Sequence, residues 1–125
     1  MEKSALDLLL ANDIPEPKIK KYRHKRLSKE FGSDFILTLR QLSYQTVAEV
    51  RKRTDDTDAH TVLAAVIDPD LKSRELMDKY RASTPAELIK LLFLPGEISD
   101  IAREAEKHSG YRVATLEEYE EFKKK

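Results

Sequence analysis

The chain has no cysteine, only three glycines and no long apolar run. Without cysteine it can form no disulfide, thiolate metal site or thiol nucleophile, a composition that fits a reducing compartment. The glycines, at 32, 96 and 110, are isolated, so no glycine-rich phosphate loop is predicted. No stretch reaches the roughly 18 apolar residues of a membrane span, and acidic residues flank the short apolar run near the start, unlike a secretory signal. We therefore expect a cytoplasmic protein with no membrane partner.

The chain also has no net charge, because 23 acidic residues balance 23 Lys and Arg. A neutral protein has no global field that would attract nucleic acid or an anionic membrane. Locally the charges separate: residues 18–29 (KIKKYRHKRLSK) carry seven Lys or Arg and no acid, and residues 117–122 (EEYEEF) carry four Glu. Such a polarity can orient a partner or further copies of the chain, although a charge run is most often a solvated face.

The residues that usually carry chemistry are scattered. None of the three histidines has an acid or a second histidine at metal-ligand spacing; they are His24, His60 and His108. Paired carboxylates at 55–56 and 117–118 lie in polar stretches that would not shift their pKa values, which argues against general acid-base catalysis. We predict a protein that is not an enzyme and holds no cofactor or metal ion.

A length of 125 residues suits a single domain with one core. We predict an α+β fold that is mostly α, in which several short helices pack around one core with one N-terminal β-hairpin. The predicted segments are an N-terminal helix and linker (1–17), the hairpin (18–42), a helical core (43–110) and a C-terminal helix or tail (111–125).

The N-terminal half supplies the predicted helix and hairpin. Ser4 and Asp7 have the spacing of a capping box, and leucines follow at helical spacing, which predicts a helix over 5–11 that the prolines of NDIPEP end. Gly32 and Ser33 then predict a tight turn between a basic strand, IKKYRHKRL, and a buried strand, FILTLRQL. The basic residues of the first strand fit the protection of an exposed sheet edge.

The pattern becomes helical after the hairpin. It predicts a helix over 44–53, a central apolar helix through AHTVLAAVI with Val66 and Ile67 on its buried face, and a short helix in SRELMDKY. Thr84, followed by proline and by a glutamate three residues on, predicts the start of the next helix.

The next helix meets a Pro-Gly pair in LLFLPGEI. Pro95 disfavours helix at Leu94 and suits the first position of a new helix, so the sequence predicts a tight corner between two amphipathic helices, the second ending near His108. Glu97 falls in the first turn, where the helix dipole favours a carboxylate. Gly96 is there either by drift or because something approaches its backbone closely, which would be another helix crossing the corner or a functional contact. A further capping box at 115–118 predicts a terminal helix.

Three pieces of the chain, in this order and spacing, resemble the XkdN-like tail assembly chaperones of long-tailed bacteriophages and defective prophages. They are DPDL at 68–71, KYRASTPAEL at 79–88 and LLFLPGEI at 91–98. With RLSKEFGSDFILTLRQLS upstream, the resemblance spans about Ile14 to Tyr111. One departure is Arg81, where relatives tend to have glycine, and this puts a left-handed helix cap there in doubt.

The resemblance implies a non-enzymatic assembly factor of the host cytoplasm that is absent from the finished virion. Such chaperones bind the long helical tape measure protein and keep it soluble while the tail tube assembles, so the implied partners are the tape measure protein and, further, the tail tube protein. In physical terms, a partner with an exposed apolar groove could cover the apolar stripes of such a protein until the tube does. Self-association is left open.

Two other functions remain open at this point. Aromatic and basic residues alternate in 18–29, which is compatible with weak nucleic-acid binding, although a neutral chain argues against it. A structural adaptor of the tail is the other. The candidate partner-binding residues come from the corner, the basic strand and the terminal helix: Leu94, Pro95, Gly96, Glu97, Ile98, Tyr22, Arg23, Leu116, Tyr119 and Phe122.

Overall fold

A computed structural model describes residues 3–119. In this range the chain forms seven helices and three strands, which confirms the predicted α+β, mostly α class. In chain order they are α1 (Ala5–Ala11), β1 (Ile19–Arg23), α2 (Lys25–Phe31), β2 (Ile36–Arg40), α3 (Tyr44–Arg51), α4 (Thr57–Ala65), β3 (Val66–Asp68), α5 (Arg74–Tyr80), α6 (Pro85–Leu92) and α7 (Pro95–His108).

The three strands form an antiparallel sheet in the order β1-β2-β3. The basic strand β1 pairs with β2 as predicted, with Tyr22 opposite Leu37. Leu37 and Leu39 of the central strand are buried, whereas most of β1 is exposed. β1 is therefore an edge strand, as its many Lys and Arg residues indicate.

The connection between β1 and β2 differs from the predicted tight turn, because helix α2 lies between the strands. His24 caps this helix: its Nδ1 accepts a hydrogen bond of 3.1 Å from the Leu27 N–H. Leu27 is buried in the core, and Gly32 (φ 67°) ends α2 as a left-handed C-cap. The prediction of a turn at Gly32 and Ser33 was wrong because the glycine closes a helix.

The apolar helix α4 is shorter than predicted, since it ends at Ala65 and the chain continues as β3. Val66 is extended and pairs with Leu39, while Ile67, predicted to be buried, is 46% exposed. β-branched side chains favour extended geometry, and the residue before Pro69 is restricted to it, so the helix cannot continue through Asp68. The sheet therefore gains a third strand that the sequence did not predict.

The C-terminal segment is not helical in the part that the structure describes. Residues 114–119 have no regular secondary structure, so the predicted helix does not form there, and Phe122 lies outside the described residues. Leu116 is 92% exposed. A helix this short needs a surface to cover its apolar side, and Leu116 is not covered by one within residues 3–119.

The core lies where α4, α6 and α7 meet the sheet. α4 and α7 pack closely because alanines face each other there: Ala65, Ala102 and Ala105 are completely buried. Val62 and Ile89 complete the centre of this core. The same packing fixes the corner between α6 and α7.

Candidate partner-binding surfaces

The corner between α6 and α7 has the boundaries that its proline predicts. α6 ends at Leu92, Phe93 and Leu94 are extended, and Pro95 is the first residue of α7. The Leu94 N–H donates a 2.9 Å hydrogen bond to Glu97 Oε1. Glu97 thus satisfies a backbone donor at the start of α7, where the helix dipole also favours its negative charge.

Glu97 is held from the other side by Arg26 of α2. The guanidinium donates to both carboxylate oxygens, at 2.8 and 2.9 Å, and to the Leu92 carbonyl at 3.2 Å. His24 Nε2 lies 3.3 Å from the same carboxylate. The hydrogen bonds from Arg26 lower the pKa of Glu97 to about 2. Because its oxygens already have partners within the chain, Glu97 is a structural residue of the corner.

The remaining corner residues divide between core and solvent. Ile98 is 8% exposed and belongs to the core, whereas Leu94 is 52% exposed and points outward beside the exposed Leu91. At Gly96 the φ angle is ordinary, and an added Cβ would meet no other heavy atom of the described chain within 4 Å. Neither a crossing helix nor another close contact within residues 3–119 therefore explains this glycine.

A groove of about 490 Å³ lies between the start of α4 and the corner. Its apolar lining comes from both elements: Ala59, Phe93, Pro95 and Ile98. Two ion pairs stand at its rim, Asp56 with Lys90 at 3.0 Å and Asp58 with Arg103 at 2.6 Å. The groove can accept an apolar side chain of a partner between charged edges.

The candidate residues of β1 are engaged within the chain. Tyr22 is partly buried beside Leu37 and Leu39 of β2, and burial raises the pKa of its hydroxyl, with a further contribution from Glu104. Arg23 donates a 2.8 Å hydrogen bond to Asp34. Tyr22 is thus placed against the core, and Arg23 and Arg26 each have a carboxylate partner within the chain, which weakens the case for nucleic-acid binding.

Helix α1 is the most exposed apolar element, and sequence reasoning did not select it as a binding surface. It buries no residue, and its four leucines are 49–77% exposed: Leu6, Leu8, Leu9 and Leu10. Ile14 in the following linker is exposed as well. The available signal was the placement of leucines on several sides of a seven-residue helix, which a core-facing helix would not need. We call residues 4–14 the N-terminal arm.

The C-terminal candidates are also exposed. Leu116 and Tyr119 lie on the surface of the described chain, and Val113 before them is exposed too. The structure therefore brings Pro95 and Ile98 together in one groove, and leaves the basic strand, the N-terminal arm and the C-terminal segment as separate surfaces.

No cluster of three His, Asp or Glu side chains that could hold a metal ion occurs within residues 3–119. None of the helices in that range is long and apolar enough to cross a membrane. The features that stand out are exposed apolar and charged surfaces on a small α+β fold, an arrangement typical of a protein that acts by binding other proteins.

Comparison with known proteins identifies the family. Residues 6–123 match the phage XkdN-like tail assembly chaperone proteins, and the chain belongs to this family. The fold is similar to the crystal structure of the protein YqbN, with a TM-score of 0.62 and 16% identity over 89% of this chain and 98% of that one. A search of curated proteins finds no match.

Proposed function

We propose that this chaperone binds the tape measure protein through its N-terminal arm and keeps it soluble while the tail tube assembles. In this proposal it acts in the host cytoplasm, without catalysis and without a cofactor. Membership of a tail assembly chaperone family supports a role with tail proteins in general. The observation that carries the finer proposal is that every leucine of α1 faces solvent.

An isolated helix of seven residues has little stability in water, because the unfavourable first turn is followed by too few stabilising bonds. α1 has one local stabilising feature, the reciprocal bonds between Ser4 and Asp7 at 3.1 and 3.2 Å. None of its leucines is buried against the chain, and they are 49–77% exposed. A second apolar helix that packs on them would remove this surface from water and stabilise the helix at the same time.

A tape measure protein fits this description of a partner. The family resemblance implies a long, largely helical protein that must remain soluble before the tube surrounds it. Apolar stripes on such helices would associate with one another if they stayed exposed. Several short chaperone arms can cover a stripe with modest affinity each, and the tube subunits can then replace them. The linker after α1 contains Pro15 and Pro17, which favour an extended spacer that holds the arm away from the body.

The test is co-expression with the tape measure protein encoded by the same phage or prophage. The arm variant replaces Leu6, Leu9 and Leu10 with glutamine, which keeps helix propensity and removes the apolar surface. Since these side chains contact little of the body, we expect the thermal midpoint of the chaperone to stay unchanged while the soluble fraction of the tape measure protein falls to that without chaperone.

The matched control replaces two leucines that are exposed elsewhere, Leu91 and Leu94 at the corner, with glutamine. We expect this variant to keep the partner soluble. If the corner variant loses activity and the arm variant keeps it, the corner is the binding surface. If the tape measure protein is equally aggregated with and without the wild-type chaperone, the proposed function is wrong.

A further inference from the structure

A second groove, of about 900 Å³, lies between α3, α4 and the start of α6. Its apolar floor comes from all three helices: Val50, Leu63, Ala64, Pro85 and Ala86. All of these except Ala86 are only half-buried, so the groove exposes apolar surface to solvent. We call it the α3–α4 groove. It is larger than the groove at the corner and has room for several apolar side chains.

The rim of the α3–α4 groove is basic. Four cationic side chains line it: Arg40, Lys52, Arg53 and Lys72. Within residues 3–119 none of the four forms an ion pair with a carboxylate. Three acids line the groove as well, but Asp56 is bound by Lys90 at 3.0 Å, which leaves Glu49 and Asp55. Because four cations face two such acids, the groove favours an apolar segment with negative charge.

The N-terminal arm and its linker have the complementary composition. Residues 4–17 contain three acids and no Lys or Arg: Asp7, Asp13 and Glu16. The four leucines of α1 are 49–77% exposed, so the arm presents apolar surface together with negative charge. The corner groove suits this segment less well, because both basic groups at its rim are already paired with acids.

The arm does not occupy the α3–α4 groove of its own chain, although the two are close. The linker joins the body at β1, where Ile19 pairs with Arg40 of the groove rim. No residue of α1 is nevertheless buried. The chain leaves α1 in an extended conformation at Asn12, and Pro15 and Pro17 favour extended geometry in the residues before them. The arm is therefore held off its own groove and is available to a second copy.

We propose that the N-terminal arm of one copy docks in the α3–α4 groove of a second copy, and that two copies exchange arms in this way. The mode is a helix in a groove, in which the leucines meet the apolar floor and the acids meet the basic rim. A reciprocal exchange is closed and symmetric, so both arms and both grooves are occupied. The inference concerns the chaperone alone and does not depend on the proposed function.

The contact is small, because only one short helix and its linker enter each groove. We therefore expect weak association, with most copies monomeric below roughly 10 µM and paired near roughly 1 mM. In dilute solution the arm is exposed, as in the single chain described above. Unfolding of dilute samples therefore reports on the monomer.

The first experiment exchanges the charges and measures the mass by sedimentation. The arm variant carries Asp13→Lys and Glu16→Lys, and the groove variant carries Lys52→Glu and Arg53→Glu. Each variant alone opposes like charges, so we expect its affinity for itself to fall at least tenfold. An equimolar mixture restores opposite charges at both contacts, and we expect it to pair with the affinity of the wild type, within about threefold.

The matched control is Lys21→Glu with Lys25→Glu, which makes the same change of charge on an exposed surface outside the groove. We expect this variant to pair as the wild type does, within about threefold. The proposal is overturned if the wild type is monomeric up to its highest attainable concentration, or if the groove variant pairs as tightly as the wild type. A mixture that stays monomeric also overturns it, since that result is expected when each arm docks on its own chain.

The second experiment locates the docked arm and leaves the groove unchanged. The chain has no cysteine, so Ala11→Cys at the end of α1 provides a single thiol for a nitroxide spin label. The spin-labelled copy is mixed with isotope-enriched wild type, so that only contacts between copies are detected. We expect the amide signals of Val50, Leu63 and Ala64 to broaden, and to recover when the nitroxide is reduced.

The control for this experiment adds the same spin label to a chain in which Leu6, Leu9 and Leu10 are replaced with glutamine. We expect it to broaden none of the groove signals, because the apolar surface of the arm is gone. Broadening centred on Ala59 and Ile98 would place the arm in the corner groove. That result, or no broadening at all at the highest attainable concentration, would overturn docking in the α3–α4 groove.

Discussion

The N-terminal arm and the α6–α7 corner both begin a helix with a capping residue, but only the corner is buried in the core. In the arm, the Ser4 hydroxyl and the Asp7 carboxylate cap α1; at the corner, Glu97 caps α7. The corner then buries Leu88 and Ile89 completely, whereas no residue of α1 is buried. Capping defines where a helix begins, but burial decides whether that helix belongs to the body of the protein.

The difference also separates two kinds of leucine. Leucines that the corner covers hold the fold together, and leucines that the arm exposes are free to bind. Under the proposed function, the corner supplies stability and the arm supplies recognition. This division can be tested by changes that are chemically matched but lie in different regions.

The largest effect is expected from the same substitution in each region. Leu88→Ala removes a completely buried side chain and should lower the free energy of unfolding by about 2–5 kcal/mol. Leu9→Ala in α1 should change it by less than about 0.5 kcal/mol, since the side chain is exposed. Urea unfolding followed by circular dichroism measures both. If the two variants lose a comparable free energy of unfolding, the arm packs on the body, and the contrast between arm and corner is wrong.

A smaller effect is expected from the ion pair that holds the corner. Glu97→Gln keeps the shape but removes the charge that Arg26 binds, and should lower stability at neutral pH by about 1–2 kcal/mol. Because the pKa of Glu97 is lowered from 4.5 to about 2 in the folded chain, its contribution is present above about pH 4.5 and is lost as the pH falls toward 2.

The measurement is the free energy of unfolding of wild type and Glu97→Gln at intervals between pH 6 and pH 2 (an acid range set by the shifted pKa). We expect the difference between them to shrink steadily as the pH falls through this window. Glu75→Gln on the exposed face of α5 is the control and should differ little from wild type throughout. A difference for Glu97→Gln that does not depend on pH would mean that packing, and not charge, holds the corner.

Helix boundaries were predictable where the signal is local. Ser4, Thr84 and Pro95 act on backbone groups within one turn, so their effect can be inferred without knowing the tertiary structure. The start of the helix at Thr84 and the stop and start at Pro95 lie where the sequence predicted them.

Elements that depend on distant contacts were not predictable in the same way. α2 is capped by His24, whose ring is centred 5.3 Å from that of Phe93, and its arginine binds Glu97, far along the chain. β3 exists because Val66 meets Leu39 across the sheet. Neither partner can be inferred from residues near 24 or 66, so a basic strand and a long apolar helix were the reasonable predictions.

The binding surfaces were predictable only in part, for the same reason. The sequence selected the corner, but whether Leu94 or Ile98 faces outward depends on how α7 lies against the core. The exposure of α1 was missed because the prediction used only the helical spacing of its leucines and not their placement on several sides of the helix. Exposure depends on the whole fold, whereas a cap depends on one turn.

The smallest effect is expected at Arg81, where the body of the protein has a strained backbone conformation that the arm does not have. Arg81 ends α5 in the left-handed conformation, with φ 57° and ψ 40°, although glycine adopts it far more easily. Its N–H is bonded at this cap, and the Ala82 N–H donates to the Met77 carbonyl at 2.9 Å, so surrounding bonds hold Arg81 in place. The left-handed cap of α5, which was in doubt because Arg81 stands where relatives tend to have glycine, is therefore present.

Arg81→Gly should therefore raise the free energy of unfolding by about 0.5–1 kcal/mol, the relief of strain being partly offset by the greater freedom of glycine in the unfolded chain. Lys79→Gly in the last turn of the same helix is the control, and should lower stability by up to about 1 kcal/mol because its backbone is helical. Thermal and urea unfolding of the two variants measure the difference. If both glycine substitutions destabilise the chain equally, the left-handed conformation of Arg81 costs no measurable free energy. The body would then carry no more backbone strain than the arm.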